Sequence, residues 1–192
     1  MRPTRLRPTR CSALADGSVR GIVIDIDSLC GGLQAVAELA DEIYRARGGK
    51  PIAAVANSIA ARAAYWFAST ASEFQINQAA ISGRLACSPH IRTARKRWKP
   101  KARQHLQARV NDHYDRFARA VARNRGVDAA TVRHGFGQGR VLGARAAKDA
   151  VMVDDIAIFD DVVGKLARRI GPARPKPLAI GPRYRPYSRA QF

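Results

Sequence analysis

The side chains able to do covalent or acid–base chemistry are few in this chain, and their spacing is unhelpful. Three cysteines, Cys11, Cys30 and Cys87, are odd in number and have no metal-ligand spacing, which fits free thiols in a reducing compartment. The four histidines, His90, His105, His113 and His134, form no His-x-x-x-His pair, so no metal site is expected. His105 and His113 read as solvent-side residues of one helix. Gly135-Phe136-Gly137-Gln138-Gly139 lacks the strand–turn–helix setting of a dinucleotide loop and reads as a turn. No cofactor is implied. Lysines suited to act as bases are confined to a dense basic run, Lys96, Lys99 and Lys101, whereas a lysine of lowered pKa needs burial. Ser58 stands one helical turn before Arg62, the one charge in the apolar stretch Ala60–Ser69. Ser58 reads as the N-cap of a helix there.

The elements that must position these residues follow from periodicity. Arg20–Asp27 is a β-branched run typical of a buried strand. Leu33–Arg47 carries Val36, Leu39, Ala40 and Ile43 on one helical face, and Gly48-Gly49 stops it. Pro51–Ala56 and Glu73–Asn77 read as short strands around Ala60–Ser69, an alanine- and aromatic-rich buried helix. The period fails over Ala79–Pro100. Lys101–Arg125 is a long helix with Leu106, Val110, Tyr114, Phe117 and Val121 on one face. Asp128 is an N-cap for a short helix to His134. Ala144–Ala150 is helical, Val151–Ile158 strand-like, and Phe159–Ile170 a closing helix. Strand and helix alternation predicts an α/β layered fold with a mostly parallel sheet and flanking helices.

Composition sets the limits. The chain has 192 residues, 46% of them hydrophobic, and a formal net charge of +19, enough for one domain with a modest core. No apolar run is long enough to span a membrane, and the basic start has no signal-peptide pattern, so a cytoplasmic location is expected. The excess charge sits in 1–20, 84–109 and 171–192, which together hold 18 of the 19 net charges. A domain at 20–170 is therefore expected between an irregular basic N-terminus (1–19) and a disordered basic tail (171–192), with 82–100 as an atypical basic junction. Arg92–Arg103, with Trp98 among the cations, could contact nucleic acid.

Three blocks carry a resemblance. Ile22–Asp41 contains Asp27-Ser28-Leu29-Cys30-Gly31-Gly32 followed by Leu39-Ala40-Asp41. Lys50–Ser69 contains Ala56-Asn57-Ser58-Ile59-Ala60-Ala61-Arg62-Ala63-Ala64-Tyr65-Trp66. Ala102–Gly143 and Met152-Val153-Asp154 complete the series. In this order they resemble the signal peptide peptidase (protease IV) family of serine peptidases, and are similar to phage-encoded members associated with capsid assembly. The resemblance implies a ClpP/crotonase-like fold, a polypeptide substrate if active, and a Ser-Lys dyad. In such a dyad lysine takes the proton of an otherwise weak serine nucleophile. It also implies an oxyanion element at Cys30, Gly31 and Gly32, and homo-oligomers, for which Ala102–Arg125 is the candidate interface.

Against that pattern the chain departs in several places. Arg62 stands where the resemblance puts the nucleophilic serine, and arginine stays protonated and cannot attack a carbonyl. Leu29 and Cys30 replace the proline and first glycine of the oxyanion element. Cys30 as a nucleophile has no base nearby in sequence. Ile81–Lys101 resembles no family segment and offers no recognisable general-base lysine, and Met1–Arg10 does not resemble the family's upstream strand. A shortened, inactive copy is expected, and the sequence leaves both native coding sequence and deletion or frameshift scars open for 1–20 and 80–101. The alternatives are an active peptidase with a relocated dyad (Ser58 or Ser82 with Lys96) and a basic nucleic-acid-binding or capsid-assembly protein.

Overall fold

A computed structural model describes residues 12–28, 36–83 and 100–171. After a helical turn at 12–15 come β1 (Ile22–Ser28), α1 (Val36–Ala46), β2 (Ile52–Ala61), α2 (Ala63–Ala68), β3 (Glu73–Ile76) and β4 (Ile81–Gly83). Then follow α3 (Pro100–Arg125), α4 (Ala129–Gly135), a 3-10 turn (Gly137–Gly139), β5 (Val141–Gly143), α5 (Ala144–Asp149), β6 (Asp155–Ile156) and α6 (Phe159–Ile170). The expected α/β layering with a mostly parallel sheet is present. The sheet runs β5-β4-β2-β3-β6, with β1 also on β2. Among the described residues only the β4–β5 pairing is antiparallel.

β2 is the axis of the sheet, and its sequence explains why. Ile52, Ala53, Ala54, Val55 and Ala56 are all buried, as a strand covered on both faces requires. Ala54 and Ala56 look into the main core with Ala40, Ile43, Tyr65, Trp66, Phe74 and Val121. Ala53 and Val55 look the other way, onto Val162 of α6. Alanine is small enough to let helices approach the sheet on both sides. α6 packs against Gly21, just before β1, where an added Cβ would stand 3.2 Å from Leu166 Cδ2.

Two sequence expectations are corrected here. Ala60 and Ala61 do not open a helix: they continue β2, opposite Ser28 on one side and Ser82 and Gly83 on the other. Alanine's high helix propensity is overridden because both residues are fully buried between paired strands. The aperiodic stretch from Ala79 likewise hides β4, three residues long and too short to show alternation.

Ser58 changes role with the helix boundary. It is not an N-cap but a β2 residue in a bulge: β2 goes from Ala56 to Ala60 while β1 goes from Ile26 to Ser28. The bulge turns Asn57 and Ser58 outward to the carboxylates of β1. Asn57 Nδ2 donates to Asp25 Oδ1 at 2.6 Å, and the Ser58 hydroxyl donates to Asp27. Extra residues of this kind bend a strand and commonly re-aim side chains beside functional sites.

Other boundaries match the sequence. Asp128 caps α4 by accepting from Thr131 N. Gly126, at φ 67°, ends α3. The Gly135–Gly139 segment is a turn, with Gly137 at φ 71°. In Val151–Ile158 only Asp155–Ile156 pairs as strand. No helix among the described residues is long and apolar enough to cross a membrane.

Candidate active site

Between Ala61, the last residue of β2, and Ala63, the first of α2, a single residue makes the turn: Arg62, at φ 57° and ψ −118°. Its N–H donates to Gly83 O at 3.1 Å, and its carbonyl accepts from Trp66 N at 3.0 Å. One residue thus ends a strand and starts a helix in a backbone conformation that non-glycine residues rarely adopt. A strained strand-to-helix turn of this kind is how several hydrolase folds present a nucleophile, because it lifts the central side chain clear of both elements. The side chain of Arg62 is half-buried.

The turn is held from below by the buried face of α2. Tyr65 is completely buried, and its hydroxyl donates to Met152 O at 2.9 Å. Its ring lies 5.8 Å from Phe74 and 6.3 Å, edge-on, from Phe136. Burial pushes the Tyr65 phenol well above its ordinary pKa, so it is a fixed donor and not an acid or base near neutrality. Trp66 packs edge-on against Phe117 of α3 at 5.6 Å. From above, Gly83 abuts the turn at φ 115°. A Cβ there would stand 3.1 Å from both Arg140 O and Met152 Cε, so only glycine fits. Nothing in the sequence pattern had singled out Gly83.

The chemistry around the turn is sparse. Among the described lysines, Lys148 pairs with Asp155 and Lys165 with Glu73, while Lys101 is exposed on α3. Lys50 lies just before β2, at the opposite end of that strand from Arg62. His105, His113 and His134 are exposed. Ser82 is fully buried, with its hydroxyl on Ala60 O at 3.3 Å. The expected site residues Cys30, Gly31 and Gly32, the lysines Lys96 and Lys99, and most of Arg92–Arg103 lie outside the described residues. No group of His, Cys, Asp or Glu able to hold a metal ion occurs among the described residues.

The strained turn makes a prediction of its own. A non-glycine residue at such a φ costs about 1–3 kcal/mol, and a glycine returns part of that as unfolded-chain entropy, roughly 0.5–1 kcal/mol. Arg62→Gly is therefore expected to raise unfolding free energy by about 1 kcal/mol in urea. A fall in stability would mean that contacts of the Arg62 side chain outweigh the backbone strain.

Comparison with known proteins agrees with this geometry. The described fold is similar to that of a point mutant of ClpP1 from Listeria monocytogenes, with a TM-score of 0.51 at 16% identity over 75% of this chain and 78% of that one. The class is thus a ClpP-like α/β fold. Residues 88–171, a little under half of the chain, match the model of Peptidase family S49. A 73-residue stretch is 40% identical to the head-tail preconnector protein GP5 of Enterobacteria phage P21, covering 38% of this chain and 15% of that protein. The chain thus combines a ClpP-like fold with a C-terminal stretch similar to the S49 peptidase family, and spans only a small part of the length of the curated relative it matches.

The family match also corrects one expectation. It begins at residue 88, inside the stretch Ile81–Lys101 whose motifs resemble no family segment. Residues 88–101 of that basic run therefore fall within the stretch that matches the family model.

Proposed function

We propose that this chain is a non-hydrolysing S49 peptidase homologue whose scaffold serves as an assembly component. The observation that carries the reading is Arg62 at the strand-to-helix turn, the place where the family resemblance puts the serine. A guanidinium is protonated at all accessible pH and offers no nucleophilic lone pair. A serine nucleophile elsewhere is poorly served by the described residues. Ser82 is sealed in the sheet. Ser58 is committed to Asp27, a carboxylate far too weak a base to activate a hydroxyl.

Assembly is supported by α3. Its C-terminal half is anchored through Phe117, Ala118, Val121 and Ala122, while Leu106 and Val110 in its N-terminal half are only half-buried. The family relative's printed role, a head-tail preconnector, points the same way, and we assign self-association to the Ala102–Arg125 face. Purified protein should show no serine labelling by a fluorophosphonate probe and no casein hydrolysis, while light scattering should report a mass above that of the monomer. Robust labelling at any serine overturns the inactivity, and a monomeric mass overturns the assembly role.

A further inference from the structure

At the end of the sheet opposite Arg62, where β1, β2 and β3 begin, cations gather around the Gly48-Gly49 turn. Arg20, Arg47, Lys50 and Arg169 line a basin of about 360 Å³ together with Gly48, Gly49, Pro51 and Ile170, and no carboxylate lines it. A second basin of about 530 Å³ shares Arg47, Gly48 and Arg169 with the first and adds Arg123 and Arg125, with Asp154 as its one acid. The two form one trough with Arg47 and Arg169 at the divide.

There is a structural reason for cations here. α1, α3 and α6 all end at this edge, and each helix C-terminus carries about half a negative charge. Arg20 donates to the carbonyls of Ile170 and Gly171. Arg47 donates to Ala71 O and Asn124 O, both at 3.3 Å, and lies over the Tyr44 ring. Lys50 donates to Ala13 O and Asp16 O. Capping alone does not use up the charge, however. Asp41, Asp154 and Glu73 answer Arg123, Arg125 and Arg169. Arg47 and Lys50 ion-pair with no carboxylate among the described residues. With Arg20 set aside as the partner of the α6 end, five cations face three carboxylates and two helix ends. That leaves about one positive charge in excess.

We infer that this trough binds a small anion with linked phosphate groups, one in each basin, straddling Arg47. Guanidinium groups match phosphate oxygens in a bidentate fork, and two basins joined at a pair of arginines favour an oligophosphate over a single anion. The phosphates could belong to an inorganic oligophosphate or to the tail of a nucleotide.

Calorimetric titration of the full chain at low salt tests this, with tripolyphosphate, magnesium-free ATP and orthophosphate as ligands. Because the chain carries +19, a charge-matched control is essential. Tripolyphosphate should bind at least about tenfold tighter than orthophosphate, and Lys50→Met/Arg169→Gln should weaken it by about tenfold. Arg119→Gln/Arg145→Gln, at exposed positions away from the trough, should change it less than about twofold. Comparable ATP affinity assigns the nucleotide source, and a much weaker one the inorganic source. No heat at millimolar tripolyphosphate, or an equal loss in both double variants, overturns the site. Arg169 is 57% exposed, so Arg169→Gln alone serves as the folded test should the double variant fail to fold, with a loss clearly beyond the control's expected.

Discussion

Phe136→Ala is expected to lower the unfolding free energy by about 4 kcal/mol, within the usual 3–5 kcal/mol range for a buried Phe→Ala change. Phe136 has no exposed surface and stands edge-on to Tyr65. It sits where α4 gives way to the glycine turn, at φ −82° and ψ 55°. Tyr65 belongs to the short helix that follows Arg62, so Phe136 is part of the support under the strand-to-helix turn. α2 has only six residues, too few to hold itself together, and depends on such contacts for its place. Truncation to alanine removes the ring and leaves a cavity beside Tyr65. Urea unfolding should show a lower midpoint with an unchanged slope. Phe136→Leu, which keeps most of the volume, should cost less than about 1.5 kcal/mol. A loss below about 1 kcal/mol for the alanine variant would contradict the packing described.

The segment containing Phe136 shows what a sequence conveys and what it withholds. Three glycines in five residues announce a turn, and a turn is there. That the phenylalanine between them plugs the core is a long-range fact with no local signature. Helix α6 was legible to the residue, because its apolar period, its acidic first turn and the glycine after it agree. α3 was legible from its apolar period and the glycine that follows it, without an acidic first turn.

β2 was legible only for its first half. Ala60, Ala61, Ala63 and Ala64 read as one helix because alanine's intrinsic preference is helical. What divides them is pairing to Ser28, Ser82 and Gly83, up to 32 residues away in sequence. Arg62 was singled out in the sequence as the residue at the nucleophile position of the resemblance. Its setting at a positive-φ junction, and not inside a helix, emerges only from the sheet. The bulge that turns Asn57 and Ser58 toward Asp25 and Asp27 is equally invisible to a local period.

Met152-Val153-Asp154 was read in sequence only as a family block, and the structure gives two of its residues work. Met152 O receives the Tyr65 hydroxyl. Asp154 is the link between sheet and long helix, and Asp154→Ala is expected to cost about 3 kcal/mol. Its backbone N–H donates to Phe74 O at 2.7 Å, and its Oδ2 accepts from Phe74 N at 2.7 Å. The same carboxylate takes both terminal nitrogens of Arg125, at 3.0 and 2.7 Å. The Arg125 side chain is only 6% exposed, against 42% for Asp154. Losing the carboxylate strands a nearly buried guanidinium and a Phe74 amide, which is why the cost exceeds that of an ordinary surface pair of about 0–1 kcal/mol. Partial exposure of Asp154 keeps it at the lower end of the buried range.

The pH dependence is a second measure of the same link. Burial pushes the Asp154 carboxyl up, but the Arg125 fork and the Phe74 amide outweigh it and hold the pKa below 3.8. A carboxylate whose pKa is depressed in the folded state stabilises above its unfolded value, and that stabilisation disappears as pH falls through the folded value. The gap between the parent chain and Asp154→Ala should therefore be full near neutrality and narrow only as pH falls below the ordinary carboxylate range. Asp128 and Asp155 are depressed too, by the Thr131 amide and by Lys148 respectively, so the variant itself should still lose stability in acid. A gap that stays constant from neutrality to acid would mean that Asp154 acts through packing and not through its charge.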